Sequence, residues 1–311
     1  YAHSEVGFIE NIRSNVNEIK GKFAEQMEIE FLPVPIDEAG DYLMLSRWLI
    51  RNIAYKYNCI ATFTPKIEEG VAGNGFHIHM ALMKNNKNLM TDKSSNLSES
   101  AKKIIGGLCK YAESLTAFGN TVSSAYLRLV PNQEAPTKIC WSDLNRSAMI
   151  RVPLGWSGIN NLAGLINTGE DDSFEEIEGR QTVELRSPDG SAIVYLLLAG
   201  ITMAAEWGLK NETSLSLTEK NYVHGNIFSN NEARQNLASL PASCVASSKI
   251  LLNSRDLYER NKVFPPSIID YTSKILLNEN DENMNEILAD LPADDRLFET
   301  RKIMHKDLHK H

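Results

Sequence analysis

The segment GNGFHIHM, residues 73–80, sets His77 and His79 two apart behind a Gly-Asn-Gly turn. In an extended strand side chains alternate between faces, so both imidazoles point one way while Phe76, Ile78 and Met80 point the other. Such a pair suits hydrogen bonding at a sheet surface. It suits a metal ion only where neighbouring strands add carboxylates or further histidines. In EQMEIEFLP, Glu28 and Glu30 share a face opposite Met27, Ile29 and Phe31, and in QTVELR, Thr182, Glu184 and Arg186 share a face opposite Val183 and Leu185. Glu28, His77 and Glu184 thus offer carboxylate, imidazole and carboxylate from separate strands, a donor set for Mg²⁺, or for Mn²⁺ with its greater tolerance of imidazole. Arg128, Arg146, Arg151 and Arg186 supply guanidinium groups. Acids for a metal beside guanidinium groups for planar anions suit phosphate chemistry and carboxylate recognition; structural ion pairing is the alternative for the arginines.

These side chains need elements to hold them. Phe8, Ile9, Ile12, Val16, Ile19 and Phe23 recur at helical spacing and predict an amphipathic helix over 7–24. The Glu28 strand follows, ended by Pro33 and Pro35. A helix is predicted over 40–58 from Leu43, Trp48, Leu49, Ile53 and Tyr57, then a short buried strand in CIATFTPK, ended by Pro65. Beyond the His strand and a polar stretch, a helix is predicted near 99–118, capped by Ser98 or Ser100. NRSAMIRVPLGW and GRQTVELRSPDGSA predict strands, the acidic GEDDSFEEIEG between them an exposed loop, and DGSAIVYLLLAGITMAAEWGL a long buried helix with Asp189 near its start. From about residue 211 the chain is polar and mostly helical, with Lys302, His305 and His309 expected in solvent on a helical tail.

Composition narrows the function class. The 311 residues are 42% hydrophobic and 23% charged, ordinary for a globular protein with a sizeable core. A net charge of −8 argues against nucleic acid as the main partner, and the absence of a long apolar run or leader pattern argues against a membrane, so a cytoplasmic protein is expected. Cys59, Cys109, Cys140 and Cys244 lack metal-site spacing and suit reduced, buried thiols. The start at Tyr1 suggests an artificial boundary, a processed product or part of a longer protein.

The ordered set EQMEIEF, ATFTPK, GNGFHIH, YLRLVPNQEAP, NRSAMIRVP and VELRSPDGSA resembles the catalytic domain of the glutamine synthetase family, in register over residues 26–208. The resemblance implies an α+β fold over 1–311, a curved antiparallel sheet backed by helices near 41–58, 99–118 and 191–208, with 209–311 as a helical C-terminal part and the family's N-terminal β-grasp domain missing. It implies ATP-dependent ligation of glutamate to ammonia through a γ-glutamyl phosphate, with Mg²⁺ or Mn²⁺, in a homo-oligomer. Carried over by position, Glu28, His77 and Glu184 would ligate metal, His79 would support the nucleotide phosphates, and Gly73, Arg128 and Arg186 would hold the amino-acid substrate or transferred phosphoryl. Arg146 and Arg151 would clamp the nucleotide phosphates and stabilise transfer, and Glu134 would be the flap glutamate that closes the site and helps deprotonate ammonium.

Departures qualify that reading. The family places a further metal-binding glutamate upstream of Glu28, where this chain has Lys22 or, by strict spacing, Lys20; Glu25 or Glu18 would substitute only with a backbone shift. An ammonium there repels a dication but suits a phosphate. Ala72, Ala81 and Thr182 stand where the family has asparagine, serine and arginine. Two alternatives therefore accompany the ligase: ligation of glutamate to a larger amine, for which the loop VAGNGFHIH and the Asn132-Gln133 pair would reshape the entrance, and an inactive homologue that binds nucleotide or glutamate.

Overall fold

The computed structural model describes residues 2–131, 135–155, 180–225 and 235–311, with side chains from residue 8 onward. The chain opens with a hairpin, β1 (Ala2–Ile9) and β2 (Ala24–Ile29), paired antiparallel. The helix predicted over 7–24 is therefore not formed. Ile12 and Ile19 do not line a helix face but turn inward from the connecting loop onto Leu308, and Gly21 takes φ +76 at the return into β2. Helical spacing alone does not distinguish these arrangements when a distant segment supplies the apolar partner.

Helix α1 (Ile36–Lys56) carries Arg47 over the rings of Phe63 and Phe76, 5.3 and 5.8 Å from their centroids. CIATFTPK forms no strand; Thr62 and Thr64 instead donate to carbonyls of the C-terminal segment, Leu308 O at 2.8 Å and Met304 O at 3.1 Å. Next come β3 (Ile78–Met80) and a small hairpin, β4 (Met83–Lys84) with β5 (Lys87–Asn88). Helix α2 (Glu99–Gly119) is capped by Ser98, whose Oγ accepts from Ala101 N, settling the choice between the two serines. A short helix α3 (Ser123–Arg128) and strands β6 (Trp141–Asp143), β7 (Ile150–Val152) and β8 (Val183–Leu185) follow. Then come α4 (Val194–Lys210), α5 (Ser214–Lys220), α6 (Cys244–Asn253), α7 (Arg255–Glu259), α8 (Pro266–Leu277), α9 (Met284–Asp290) and α10 (Ala293–His305).

The fold is α+β, as expected, but the sheet is mixed. Its order is β3-β8-β7-β6, with β8 antiparallel to both neighbours and β6 parallel to β7. Helices α2 and α4 build the core behind it. Gly107 and Gly208 sit at their crossing, where a Cβ on either would meet the carbonyl oxygen of Ala204 or Lys103, so the backbones close to a distance only glycine permits. Leu108, Leu197, Ile201 and Phe118 are buried there, each stabilising the fold by roughly 1.5–3 kcal/mol. Asp189 does not cap α4, which starts at Val194 without a side-chain cap; it bonds Ser191 and Asn120 instead. Cys109, Cys140 and Cys244 are buried thiols and Cys59 is an exposed one. The tail departs from expectation at His305, which is buried, with Nδ1 2.8 Å from Ser14 Oγ and Nε2 2.8 Å from Ile67 O; Lys302 is partly exposed and His309 lies outside, against Glu18. Among the described residues no helix is long and apolar enough to cross a membrane.

Candidate active site

The register of three short strands gathers the chemistry. His79 and Glu184 are Cα partners across β3 and β8, and Arg151 and Glu184 are partners across β7 and β8. Because alternate residues share a face, His77 and Arg186 project to the same side as this row. Glu184, 2% exposed, receives them all. Oε1 accepts from Arg186 NH1 at 2.7 Å and lies 3.2 Å from His77 Nδ1 and 3.9 Å from His79 Nε2; Oε2 lies 3.0 Å from Arg151 Nε. The Arg151 approach is an ion pair whose N–H is not aligned on the oxygen, so among the described residues buried Oε2 has no hydrogen-bond partner.

Burial alone would raise the Glu184 carboxyl, but the His77 hydrogen bond and the Arg186 charge outweigh it and hold the group at about 2. Burial pushes His77 down to about 4 despite the Glu184 hydrogen bond, so the imidazole is neutral and donates Nδ1–H to the carboxylate, leaving the Nε2 lone pair available. Burial also lowers His79, whose Nδ1 is 3.2 Å from Thr182 Oγ1.

Arg128 and the 73–75 loop meet one layer away. Arg128, at the end of α3, is 3% exposed and donates through NH1 to Ser187 O (2.9 Å) and NH2 to Arg186 O (3.1 Å). Burial lowers it to about 10, against the nearby Asp189 carboxylate that favours its charge. The 73–75 loop rests on this side chain: a Cβ on Gly73 would stand 2.8 Å from Arg128 Cγ and 2.7 Å from Pro65 O, and one on Gly75 would stand 2.9 Å from Arg128 NH2. Asn74 fixes the loop, donating Nδ2–H to Thr64 O at 2.7 Å while its Oδ1 accepts from Gln26 Nε2 at the same distance.

That Gln26 bond docks the N-terminal hairpin on the site. Gln26, Glu28 and Glu30 alternate on one face, and the Glu30 carboxylate acts electrostatically on His79. Glu28 is exposed on this face and, among the described residues, no group of three His, Cys, Asp or Glu side chains is gathered for a metal ion. Of the expected set, His77, His79, Arg151, Glu184 and Arg186 come together; Gly73 and Arg128 form an adjoining contact. Arg146 is exposed in the turn between β6 and β7, close enough to disfavour the charge on Arg186. Glu134, with Asn132, Gln133 and the acidic loop, lies outside the described residues. Lys22 is exposed just before β2. Gln26, Asn74 and Asp189 were within the recognised motifs but had no assigned role; their amide and carboxylate side chains beside glycine or serine were the available signal.

Comparison with known proteins gives the same direction. A family model described as glutamine synthetase, catalytic domain, matches residues 6–287. The chain is 34% identical over 210 residues to the glutamine synthetase of Pyrococcus horikoshii, a match covering 68% of this chain and 42% of that protein. It is 29% identical over 289 residues to that of Thermococcus kodakarensis, covering 92% and 58%. A cryo-EM structure of Plasmodium falciparum glutamine synthetase shares the fold, with a TM-score of 0.61 at 23% identity over 89% of this chain and 56% of that one. The chain thus spans about half the length of the curated relatives it matches.

Proposed function

The chain belongs to the glutamine synthetase catalytic-domain family, and from that premise we propose that it carries the site for ATP-dependent ligation of glutamate to ammonia through a γ-glutamyl phosphate. The observation that carries this reading is Glu184, a buried carboxylate held charged between His77, Arg186 and Arg151. A carboxylate is a poor acyl donor, and phosphorylating it brings two anions together; fixed cations in a site of low dielectric lower that barrier.

In this reading Gly73 and Arg128 shape the glutamate pocket, and Arg186 faces the carboxylate or the transferring phosphoryl. Arg151 and Arg146 bind the equatorial phosphoryl oxygens, and His79 braces the phosphates. Glu134 closes the site and takes a proton from ammonium, which leaves the amine lone pair free to attack the acyl carbon as phosphate departs. Closure also keeps water from the acyl phosphate.

The donors present suit a divalent cation. A neutral imidazole and a carboxylate oxygen stand 3.2 Å apart, and Glu184 Oε2 is a buried acceptor without an aligned donor. Mg²⁺ commonly takes one or two carboxylates and fills its other positions with water and phosphate oxygens. His77 and Glu184 would hold the ion, with Glu28 from the hairpin. When bound it would neutralise phosphoryl charge and orient the nucleotide.

Further parts of the proposal concern the whole protein. Residues 1–311 act as one catalytic domain, in a cytoplasmic homo-oligomer. Assembly is supported by the exposed apolar side chains of Met27, Ile29, Phe31 and Leu32 on the hairpin side and Trp48 and Leu49 on α1.

A second reading, an inactive homologue that binds nucleotide or glutamate, is supported by an exposed lysine, Lys22 or by strict spacing Lys20, where the family resemblance implies a metal-binding acid. Phosphate release from Mg²⁺-ATP, with glutamate and with ammonium or a panel of alkylamines and polyamines, separates the readings. Release dependent on ammonium and lost in His77→Ala supports the ligase, and preference for a larger amine changes the acceptor. No release from a folded, ATP-binding protein supports the second reading.

A further inference from the structure

The C-terminal segment, outside the span matched by the family, makes a concentrated set of polar contacts with the supports of the candidate site. Arg301 Nε lies 3.0 and 3.1 Å from the two carboxylate oxygens of Glu68, both side chains being mostly buried. His305 bonds Ile67 O, while the carbonyls of Met304 and Leu308 accept from Thr64 and Thr62. Thus four side-chain links seize residues 62–68 from one short stretch. The other side of the segment reaches α3: Lys306 Nζ lies 2.6 Å from Glu279 Oε2 and 3.2 Å from Ser123 Oγ, and Glu279 Oε2 accepts from Ser123 N at 3.0 Å and Ser123 Oγ at 2.6 Å.

The two gripped pieces converge. Residues 62–68 lead into the 73–75 loop, which Thr64 O and Pro65 O hold through Asn74, and α3 ends in Arg128, on which Gly73 is packed. We propose that residues 301–306 form a positioning clamp, with Arg301, His305 and Lys306 as positioning residues that set the Gly73–Arg128 contact from behind. Its effect on glutamate rests on the ligase reading above; the structural coupling itself does not. A clamp made of charged and side-chain-to-carbonyl bonds, rather than apolar packing, fixes orientation at two points while leaving the sheet independent.

Arg301→Gln, Lys306→Gln and the pair Glu68→Arg with Arg301→Glu test it in the full-length protein by hydrogen exchange and by steady-state kinetics. Hydrogen bonds to charged groups hold local opening closed by enough that exchange should quicken about tenfold at 62–76 in Arg301→Gln and at Ser123 and α3 in Lys306→Gln. Exchange in β7 and β8 should be unchanged, and the reversed pair should restore slow exchange. In an active protein the KM for glutamate should rise several-fold more than that for ATP. Unchanged exchange at 62–76 in Arg301→Gln or at α3 in Lys306→Gln, equal acceleration throughout the chain, or no recovery in the reversed pair would overturn the clamp. If the unaltered protein releases no phosphate, the ligase reading fails alone, and the exchange results still decide the clamp.

Discussion

Arg151 and Glu184 are directly paired residues on adjacent strands, and the Nε of one stands 3.0 Å from the Oε2 of the other. The pair joins β7 to β8 at an oxygen that no donor among the described residues satisfies squarely. Its partners differ in what they protect. Arg186 is buried with Glu184, whereas Arg151 is 23% exposed.

Arg146→Ala should therefore spare the fold, Arg151→Ala should remain folded with some loss of stability from its broken pair with Glu184, and both should damage turnover. Arg146 is exposed and its removal should change stability by no more than about 0.5 kcal/mol. If these guanidinium groups stabilise phosphoryl transfer, turnover should fall about 10²- to 10³-fold in each variant. Thermal unfolding beside kcat checks this, and near-normal kcat would remove the role.

Glu184→Gln should do the opposite in kind, harming stability as well as activity. The amide keeps the shape but removes the negative charge that Arg186 NH1 and His77 Nδ1 face, and breaking a buried pair on one side costs about 3–5 kcal/mol. Denaturant unfolding should show a lower midpoint, and Mn²⁺ binding, read by electron paramagnetic resonance without turnover, should weaken in the folded fraction.

Gly73→Ala places a methyl group 2.7 Å from Pro65 O and 2.8 Å from Arg128 Cγ, contacts that require backbone or a buried arginine to move. Overpacking of this kind costs about 1–3 kcal/mol. If the chain carries the proposed ligase site, the same shift should raise the KM for glutamate and leave that for ATP close to its original value.

Glu279 gives a pH prediction outside the site. Burial favours its neutral form, yet hydrogen bonds from Lys306 and Ser123 prevail and bring the carboxyl from 4.5 to about 2. A depressed carboxylate stabilises the fold above its unfolded pKa and loses that contribution as pH falls toward the folded value. With Lys306 and Lys310 each 40% exposed and screened by solvent, the contribution is of order 1–2 kcal/mol. Glu279→Gln should thus be less stable than the parent at pH 7, with the two unfolding curves converging as pH falls from 4.5 toward 2. A gap independent of pH would show that the charge is not responsible.

Much of this was legible in the sequence because it depends on alternation along single strands. The spacing of His77 and His79 and of Glu184 and Arg186 sets which side chains share a face, and a serine at 98 or 100 marks the start of α2, where the structure selects Ser98. What was not legible depends on partners far along the chain. Ile12 and Ile19 have helical spacing, but Leu308 packs against them, and the hairpin forms around their loop. CIATFTPK has strand-like residues, but its threonines bond to the C-terminal segment, some 240 positions away. His305 is polar and near the end of the chain, yet Ser14 and Ile67 satisfy both ring nitrogens in the interior. Local pattern does not encode those meetings.

The central claim, that the site activates a carboxylate as an acyl phosphate, is tested most directly by following oxygen. Glutamate labelled with ¹⁸O in its side-chain carboxylate is turned over with unlabelled Mg²⁺-ATP and ammonium, and the released phosphate is analysed by mass spectrometry. If the carboxylate attacks the γ-phosphoryl and the amine then displaces phosphate, one labelled oxygen leaves with each phosphate. Phosphate released without label would mean that water, not glutamate, accepts the phosphoryl group, and would contradict the account.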